Sequence, residues 1–217
     1  MTPAECLVQF ARTQLQDLLH LSGRILYSSH ETLKPGKIYL LGHNPGGDPV
    51  EQAAFTIGRD LDELPSRTTN AYEDERWRGG YPKGGKPLQK RVCWMLDQLG
   101  EKPAEVAASN FLFNRSRDSG TSKFREHVDR YWTVHEKILD IVKPRLILTF
   151  SGPGYAFLRR KLTGGPEVGC LAGHGNWKCH KFQVSSGMWV ANVPHLSRYD
   201  ITGKNSVIDW MACCLSG

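Results

Sequence analysis

Four short apolar runs, separated by longer amphipathic segments, constrain the fold of this chain more than any other feature of its sequence. Runs of this length are typical of strands that are buried on both faces of a sheet. The segments Pro87 to Leu99 and Phe124 to Ile141 carry helical periodicity, so strands and helices alternate. This alternation predicts a single domain over residues 1–217, an α/β protein with a three-layer α/β/α sandwich around a central, mainly parallel four-stranded sheet. The apolar runs are Lys37 to Leu41, Val106 to Phe113, Arg145 to Phe150 and Met188 to Val193.

The N-terminal segment is predicted to be an amphipathic helix. Its apolar residues, from Leu7 to Leu21, recur at helical spacing among polar ones. Thr2, Pro3 and Glu5 fit an N-cap, a first-turn proline and a capping-box partner. We expect no signal peptide and no membrane partner, because charges interrupt this segment and no run approaches the roughly 18 apolar residues of a membrane span.

The composition indicates the class of protein and the kind of molecule that it binds. The hydrophobic fraction of 40% excludes a disordered or fibrous chain. A formal net charge of +6 favours a polyanionic partner such as nucleic acid, although many proteins share so modest an excess. Six cysteines in a chain of this length, with no secretory signal, predict reduced thiols and a cytoplasmic, intracellular location.

Two unusual loops follow the first and the last predicted strands. The first is GHNPGGDP, Gly42 to Pro49, and the second is PHLSRYDI, Pro194 to Ile201. In an open α/β sheet the loops after the strands gather in one crevice. Together with Phe55, Asn110 in SNFLFN, and the strand, turn and helix of LILTFSGPGYAFL, this order of motifs resembles the uracil-DNA glycosylase superfamily. The likeness is closer to its asparagine-containing mismatch-specific and single-strand-selective branches.

The resemblance implies a monofunctional DNA glycosylase. Such an enzyme hydrolyses the N-glycosidic bond of uracil, or of a 5-substituted pyrimidine, after flipping the nucleotide out of DNA. The expected partner is single- or double-stranded DNA containing an altered base. We expect a DNA-associated monomer that needs no cofactor.

The two catalytic residues implied by the resemblance are His195 and Asn44. His195 would donate a hydrogen bond to the pyrimidine oxygen on which negative charge accumulates, and Asn44 would orient the water. An amide cannot accept the proton of that water, so hydrolysis would be slow, with Asp48 as a reserve carboxylate. The alternatives are that His195 caps a backbone carbonyl and that Asn44-Pro45-Gly46 is only a turn.

A second group of residues would bind the flipped base: His43, Gly46, Phe55 and Asn110. Gly46 stands where the uracil-specific branch carries a tyrosine that blocks carbon 5, so its pocket would be open there. The alternative is that the glycine only serves a positive φ angle. Phe55 would stack on the base, and the alternative is that it is an ordinary core residue. Asn110 would hydrogen-bond the edge of the base, and the alternative is that its amide makes only a structural hydrogen bond.

A third group, Ser197, Arg198 and Tyr199, would contact DNA. Ser197 matches the family's serine, whereas Arg198 and Tyr199 only occupy the region of the wedge that fills the emptied stack. Leu196 and Arg198 replace prolines of the commonest form, which predicts a less rigid loop. The basic and aromatic segment Glu75 to Arg91 fits either a surface that tracks a DNA strand or a solvated loop.

The insertion between residues 162 and 181 lies outside the resemblance. Its Cys-x3-His-x4-Cys-His spacing is not that of a standard zinc site, so no metal is expected. The segment GHGNWKCHKF is predicted to form a hairpin near the DNA surface. The residues concerned are Cys170, His174, Cys179 and His180.

Two other functions remain open. The asparagine of the first motif and the atypical PHLSRY loop also fit a non-catalytic nucleic-acid-binding relative of the superfamily. A nucleotide-binding α/β enzyme that uses the loop at Gly42 for phosphate is a weaker alternative, since no GxGxxG or lysine-serine P-loop is present.

Overall fold

The computed structural model describes residues 1–118 and 120–216. The strands of that part of the chain are β1 (Ile38–Gly42), β2 (Ala107–Asn110), β3 (Leu146–Thr149), β4 (Val168–Leu171), β5 (Lys178–Gln183) and β6 (Trp189–Asn192). They form one mixed sheet in the order β2-β1-β3-β6-β5-β4, with β2, β1, β3 and β6 parallel and β5 and β4 antiparallel to their neighbours. Each predicted run is one of the parallel strands. The predicted four-stranded sheet is corrected to six, because the 162–181 segment and the residues after it add two strands.

Helices cover both faces of this sheet. Tyr39 and Leu41 of β1 face one core, shared with the first, second, fourth and fifth helices, whereas Ile38 and Leu40 face the other, shared with the third and sixth. Alternate residues of one strand thus enter two cores, which explains its unbroken apolar sequence. The three-layer α/β/α architecture is confirmed. The α-helices of the described residues are α1 (Pro3–Gln14), α2 (Ile57–Glu63), α3 (Pro87–Gln98), α4 (Phe124–Val142), α5 (Gly152–Lys161) and α6 (Asn205–Ala212).

The start of α1 follows the predicted capping chemistry. The Thr2 backbone N–H donates to Glu5 Oε2 at 2.7 Å, and the Glu5 N–H donates to Thr2 Oγ1 at 3.2 Å. The helix ends at Gln14, earlier than the apolar spacing predicts, because residues 15–20 continue as turns. No helix in residues 1–118 or 120–216 has the length and apolar character needed to cross a membrane.

The predicted hairpin is formed by β4 and β5, with Cys170 opposite Cys179. Strand β5 pairs with β6, so the hairpin extends the sheet. Strand β4 is mostly exposed, which explains why its sequence lacks the apolar run of the other strands. The sequence signal for these two strands is weak because only one of them packs on both faces.

Candidate functional site

A cleft of about 1480 Å³ opens at the carboxyl ends of the parallel strands. Parallel strands end at the same edge of a sheet, so the loops that follow them meet there. Residues after each of the parallel strands line the cleft, and the two unusual loops of the sequence face each other across it. Among these residues are His43, Asn44 and Gly46 after β1, Asn110 and Ser116 at and after β2, Phe150 and Ser151 after β3, and His195 and Ser197 after β6.

The Asn44 side chain is held in one orientation by the loop after β2. Its Nδ2 donates to the Pro45 carbonyl and to Ser116 Oγ, both at 2.8 Å. A carbonyl only accepts, and the Ser116 hydroxyl donates elsewhere, to the Asp118 carbonyl at 2.6 Å. The contacting atom of Asn44 must therefore be nitrogen. Its Oδ1 has no hydrogen-bond partner among the described residues and is available to a water in the cleft.

Asp48 does not serve as the reserve carboxylate. The Val50 N–H donates to Asp48 Oδ1 at 2.8 Å, and Arg117 Nε donates to Oδ2 at 2.9 Å. The backbone hydrogen bond from Val50, with the charge of Arg117, lowers the pKa of Asp48. The carboxylate forms a turn and an ion pair, and it does not line the cleft.

Gly46 leaves open space in the cleft wall. A Cβ built at this position would meet no heavy atom within 4 Å, and the backbone does not lie in the left-handed region. The φ of +113° belongs to its neighbour Gly47. The alternative that Gly46 serves a positive φ is therefore wrong, and a side chain could be built there without backbone strain.

His43 is buried and already fully hydrogen-bonded. Its Nδ1 contacts Ser151 Oγ at 2.9 Å, its Nε2 contacts Ser122 Oγ at 3.0 Å, and its ring stacks on Phe124 with centroids 5.0 Å apart. Both ring nitrogens contact hydroxyl groups, so neither offers a hydrogen bond to a base, and base binding by His43 stays a prediction that rests on its place in the cleft lining. His43 joins the loops after β1, β2 and β3 beneath the cleft.

The His195 imidazole is fixed by the residue two positions later. The Ser197 backbone N–H donates to His195 Nδ1 at 3.2 Å, and Ser197 Oγ lies 2.8 Å from the same nitrogen. Since a backbone N–H can only donate, Nδ1 is an acceptor and the neutral ring carries its proton on Nε2. Partial burial and the charge of Arg198 lower the pKa of His195, which favours that neutral form.

Asn110 ends β2 at the bottom of the cleft and is 4% exposed. Its Nδ2 is buried and makes no close hydrogen bond, but the Asn110 side chain interacts with the Tyr27 hydroxyl and partly offsets the rise that burial causes in the pKa of Tyr27. The alternative of a structural hydrogen bond at Asn110 therefore stays open. A Cβ at Gly42 would lie 2.1 Å from Asn110 Oδ1, so the glycine that ends β1 leaves the space that this amide occupies.

Phe55 is not a core residue. It is 53% exposed, lies on the wall of the cleft, and has the Arg59 guanidinium 5.0 Å from its ring centre. A large aromatic ring that remains exposed in a cleft is a surface on which a flat ligand can stack.

The loop after β6 places its three predicted DNA contacts differently. Ser197 and Arg198 are exposed on the rim of the cleft. Tyr199 is fully buried and donates from its hydroxyl to the Ala172 carbonyl at 2.5 Å, so its ring packs against the tip of the β4-β5 hairpin. The expectation that Tyr199 contacts DNA is corrected, because the ring would have to leave the core.

Arg91 anchors the loop after β6, in which Leu196 and Arg198 stand where the commonest form of the family has prolines. Its Nη1 donates to the Leu196 carbonyl at 2.8 Å and to the Ser197 carbonyl at 3.3 Å, and its guanidinium pairs with Asp200 at 3.4 Å. Leu196 is itself fully buried. Arg91 therefore belongs to the support of His195 rather than to a DNA-tracking surface.

The rest of the basic segment is partly structural. Trp77 packs on Tyr72 and Tyr27, with centroids 5.7 and 6.4 Å apart, rather than standing free for a base. Tyr81 is 39% exposed. Contact with a DNA strand stays a prediction for the exposed cations, which are Arg76, Arg78, Lys83 and Lys90.

The hairpin brings no metal site together. Cys170 and Cys179 are paired across the strands, His180 contacts Glu167 at 2.9 Å, and His174 packs on Trp177 at 4.7 Å. Among residues 1–118 and 120–216, no three His, Cys, Asp or Glu side chains are placed to hold a metal ion.

Ser116 and Arg115 are among the cleft residues that were not singled out from the sequence. Both lie in the loop after β2, five or six residues beyond Asn110, and Ser116 forms a bridge with Gly46. The rule that such loops form the crevice would have indicated this stretch. Their individual contacts depend on the path of the loop, which the sequence does not reveal.

No protein-family model matches this chain, and no curated protein sequence matches it significantly. Membership of the glycosylase superfamily therefore stays a prediction from the motifs.

Proposed function

We propose that this protein is a monofunctional DNA glycosylase that hydrolyses the bond between deoxyribose and uracil, or a 5-substituted pyrimidine, flipped into the cleft. The observation that carries the proposal is that Asn110, Phe55 and His195 line one cleft at the carboxyl ends of the parallel strands. The Asn110 amide lies at the bottom of this cleft, where a side-chain amide can hydrogen-bond the edge of a base.

The strand order places Asn110 and His195 at a separation that fits a flat ligand bound between them. Asn110 ends β2 and His195 follows β6, and β1 and β3 lie between these strands. Three strand spacings of about 4.8 Å separate them, about 14 Å in all. A pyrimidine that receives one hydrogen bond at each side fills most of that span, with its face on Phe55.

The neutral His195 ring suits departure of the base. When the bond between C1′ and N1 breaks, its electron pair goes to the base, and negative charge accumulates on the carbonyl oxygen beside N1. The His195 Nε2–H would donate a hydrogen bond to that oxygen. A fixed donor of this kind stabilises a transition state by several kcal/mol because it needs no reorganisation.

Asn44 would position the attacking water. Its Oδ1 would accept a hydrogen bond from the O–H that the water keeps, and the oxygen of that water bonds to C1′ as the base departs. The water's second proton goes to the departing base or to solvent, because the amide is not a base and Asp48 is occupied by Arg117. Bond breaking would therefore run ahead of water attack.

Contacts with DNA would come from the exposed rim. The Arg198 side chain has no hydrogen-bond or ion-pair partner among the described residues and can bind a phosphate, and it follows Ser197 on the exposed rim. Because Tyr199 is buried, Arg198 remains as the side chain of this loop that can enter the emptied stack.

A non-catalytic nucleic-acid-binding role is the second candidate. The observation that favours it is that the carboxylate of the first motif, Asp48, forms an ion pair and lies outside the cleft. Both candidates bind an altered base, but only the glycosylase leaves an abasic site.

A panel of matched oligonucleotides decides between them. Each oligonucleotide carries one altered base, in single- and double-stranded form, and abasic sites are scored by alkaline cleavage. We expect cleavage at uracil or at one or more 5-substituted pyrimidines. The double variant Asn44→Ala/His195→Ala, prepared in parallel, should be inactive, which excludes a contaminating glycosylase.

Two results would overturn the glycosylase. One is the absence of abasic sites on every oligonucleotide together with tight binding to one of them, which is the result expected of a binding protein. The other is equal cleavage by the wild type and the double variant. The exposed His20, which does not line the cleft, provides a control variant, His20→Ala, that should match the wild type.

A further inference from the structure

The tip of the β4-β5 hairpin, residues 172–177, lies at the same edge of the sheet as the cleft. Strand β5 is antiparallel to β6, and its His180 pairs with Asn192, the last residue of β6. The residues that precede β5 therefore extend beyond the carboxyl end of β6, where the loop that carries His195 begins. Residues of the tip are not part of the cleft wall, so the tip borders the cleft from outside.

Two side chains hold the hairpin tip in place. The buried Tyr199 hydroxyl donates to the Ala172 carbonyl at 2.5 Å, and Lys204 Nζ donates to the Gly173 carbonyl at 2.7 Å. Tyr199 directly follows Arg198, which is exposed on the rim of the cleft. The tip is therefore fixed next to that rim.

Trp177 is an exposed aromatic residue of the hairpin tip. It is 39% exposed, although its ring packs on His174, with centroids 4.7 Å apart, and on Tyr199, with centroids 6.4 Å apart. These contacts hold the indole in place while part of its surface stays open to solvent. A fixed and exposed aromatic ring offers a surface on which a flat ligand can stack.

The charges around the tip favour an anionic partner. No acidic residue occurs between Val168 and Tyr199. Lys178 and Arg198 are exposed in this stretch, and neither has a carboxylate within ion-pair distance among the described residues. Aromatic rings beside unpaired cations are the combination that binds single-stranded nucleic acid, because bases stack on the rings and phosphates pair with the cations.

We propose that the hairpin tip is a further DNA-binding surface, on which Trp177 stacks on an unpaired base that flanks the flipped nucleotide and Lys178 pairs with a phosphate of the same strand. The choice of a flanking nucleotide rests on the proposed function, which places the flipped nucleotide in the neighbouring cleft. A base can stack on the indole only when it has left the duplex, so the contact requires an unpaired flank. The contact strengthens binding without touching the reacting atoms.

Binding to three DNA ligands with the same central, non-cleavable 2′-fluoro uridine tests the proposal. The first is a single strand with flanks of about ten nucleotides, a length within the roughly 4–16 nucleotides of typical single-strand sites. The second is the same strand in a duplex, and the third is a trinucleotide. We expect Trp177→Ala to weaken binding of the long single strand by about fivefold or more, in line with the loss of one stacked base. Binding of the duplex and of the trinucleotide should change much less, because neither offers an unpaired flank.

Leu171→Ala is the matched control, because Leu171 is exposed on the same hairpin but has no aromatic face. It should leave all three affinities unchanged. Trp177→Phe keeps a smaller ring and should retain part of the affinity. If thermal melting shows that Trp177→Ala does not fold, Trp177→Phe replaces it, with a smaller loss that is again confined to the long single strand. Lys178→Gln should lower the slope of log Kd against log salt concentration by about 0.7, the release of one counter-ion from a single strand.

The outcomes separate this inference from the proposed function. An unchanged affinity in Trp177→Ala, or an equal loss on the single strand and the duplex, would overturn the stacking on an unpaired base and leave the glycosylase standing. A wild-type dimer that Trp177→Ala dissociates, as judged by size-exclusion chromatography, would assign the surface to a second copy of the chain and also overturn it. Tighter binding of the corresponding RNA strand would overturn DNA as the partner. A loss confined to the long single strand, in a protein that excises no base, would overturn the glycosylase and support the surface.

Discussion

The two loops that face each other across the cleft are held in place by different means. The loop after β1 is fixed by side chains of other loops, as in the hydrogen bonds between Asn44 and Ser116 and between His43 and Ser151. The loop after β6 is supported from outside by Arg91, but the turn that carries His195 is closed by its own backbone, since the Arg198 and Tyr199 N–H groups donate to the His195 carbonyl at 2.9 and 3.0 Å.

This difference predicts how each loop responds to substitution. A loop that is fixed by remote side chains changes when those side chains change, even if they do not touch the ligand. A turn that is closed by its own backbone keeps its shape when single side chains are removed. Substitutions of the exposed residues His195 and Ser197 in the loop after β6 should therefore alter chemistry without altering stability, and substitutions around the loop after β1 should couple the two.

The largest effect is expected for His195→Ala. Removal of the Nε2–H donor should lower single-turnover excision by about 10²- to 10³-fold, in line with the loss of one transition-state donor. DNA binding and the melting temperature should stay close to those of the wild type, because backbone bonds close the turn. Excision within threefold of the wild-type rate would show that His195 does not take part in the mechanism. A large fall in melting temperature would contradict the proposal that the turn in the loop after β6 is held by its backbone.

Gly46→Tyr should have the next largest effect, and only on substituted bases. The ring would enter the open space and displace a base that carries a methyl or larger group, which can cost about a hundredfold in rate. Some activity on uracil should remain. Gly47→Ala is the contrasting variant, because φ is +113° there and a side chain is strained. A folded tyrosine variant that loses both activities in proportion would refute the open-edge interpretation.

Phe55→Ala tests the exposed ring of the loop after β1. Loss of stacking should weaken binding of a non-cleavable substrate analogue by about 1–3 kcal/mol. Binding of undamaged duplex should change much less, since no flipped base is present. Equal weakening of both would assign Phe55 a general role in the shape of the cleft.

A pair of serine variants compares the two loops directly. Ser116→Ala removes one hydrogen bond that fixes the Asn44 amide, so excision should fall by about twofold to tenfold. Ser197→Ala leaves the backbone N–H on His195 Nδ1, and a smaller loss is expected in the same assay. A greater loss for Ser197→Ala would reverse the proposed difference between the loops.

The smallest effect is a shift in pH dependence. Burial lowers the pKa of His195 and the charge of Arg198 lowers it further, so Arg198→Ala should raise that pKa. Because the neutral ring is the active form, excision falls as pH drops through this pKa. The acid limb of the pH-rate profile should therefore move to higher pH in the variant. An unchanged limb would show that Arg198 does not act on His195.

Much of this arrangement could be predicted from the sequence. The apolar runs located the parallel strands, and the capping residues Thr2 and Glu5 located the start of α1. The two unusual loops were predicted to meet, because all parallel strands of one sheet end at the same edge. Their shared crevice is confirmed, whereas the stacking of Phe55 on a base stays a prediction.

The hydrogen-bond and ion-pair partners of polar side chains could not be predicted, because they depend on which loops meet in the folded chain. The sequence does not reveal that Ser151 and Ser122 occupy both nitrogens of His43, or that Arg117 occupies Asp48. It also does not reveal that Tyr199 packs against a hairpin 27 residues earlier in the chain. Each of these contacts joins separate loops, and short-range patterns carry no information about such contacts.

The contact between Gly42 and Asn110 has a consequence for genetic screens. Any side chain at position 42 would compete with the Asn110 amide for the same space, although glycine itself carries no reactive group. A saturation screen for lost activity would therefore rank position 42 beside the chemically active positions. A list of catalytic residues drawn from such a screen alone would wrongly include Gly42, which contributes only the space that its missing side chain leaves for Asn110.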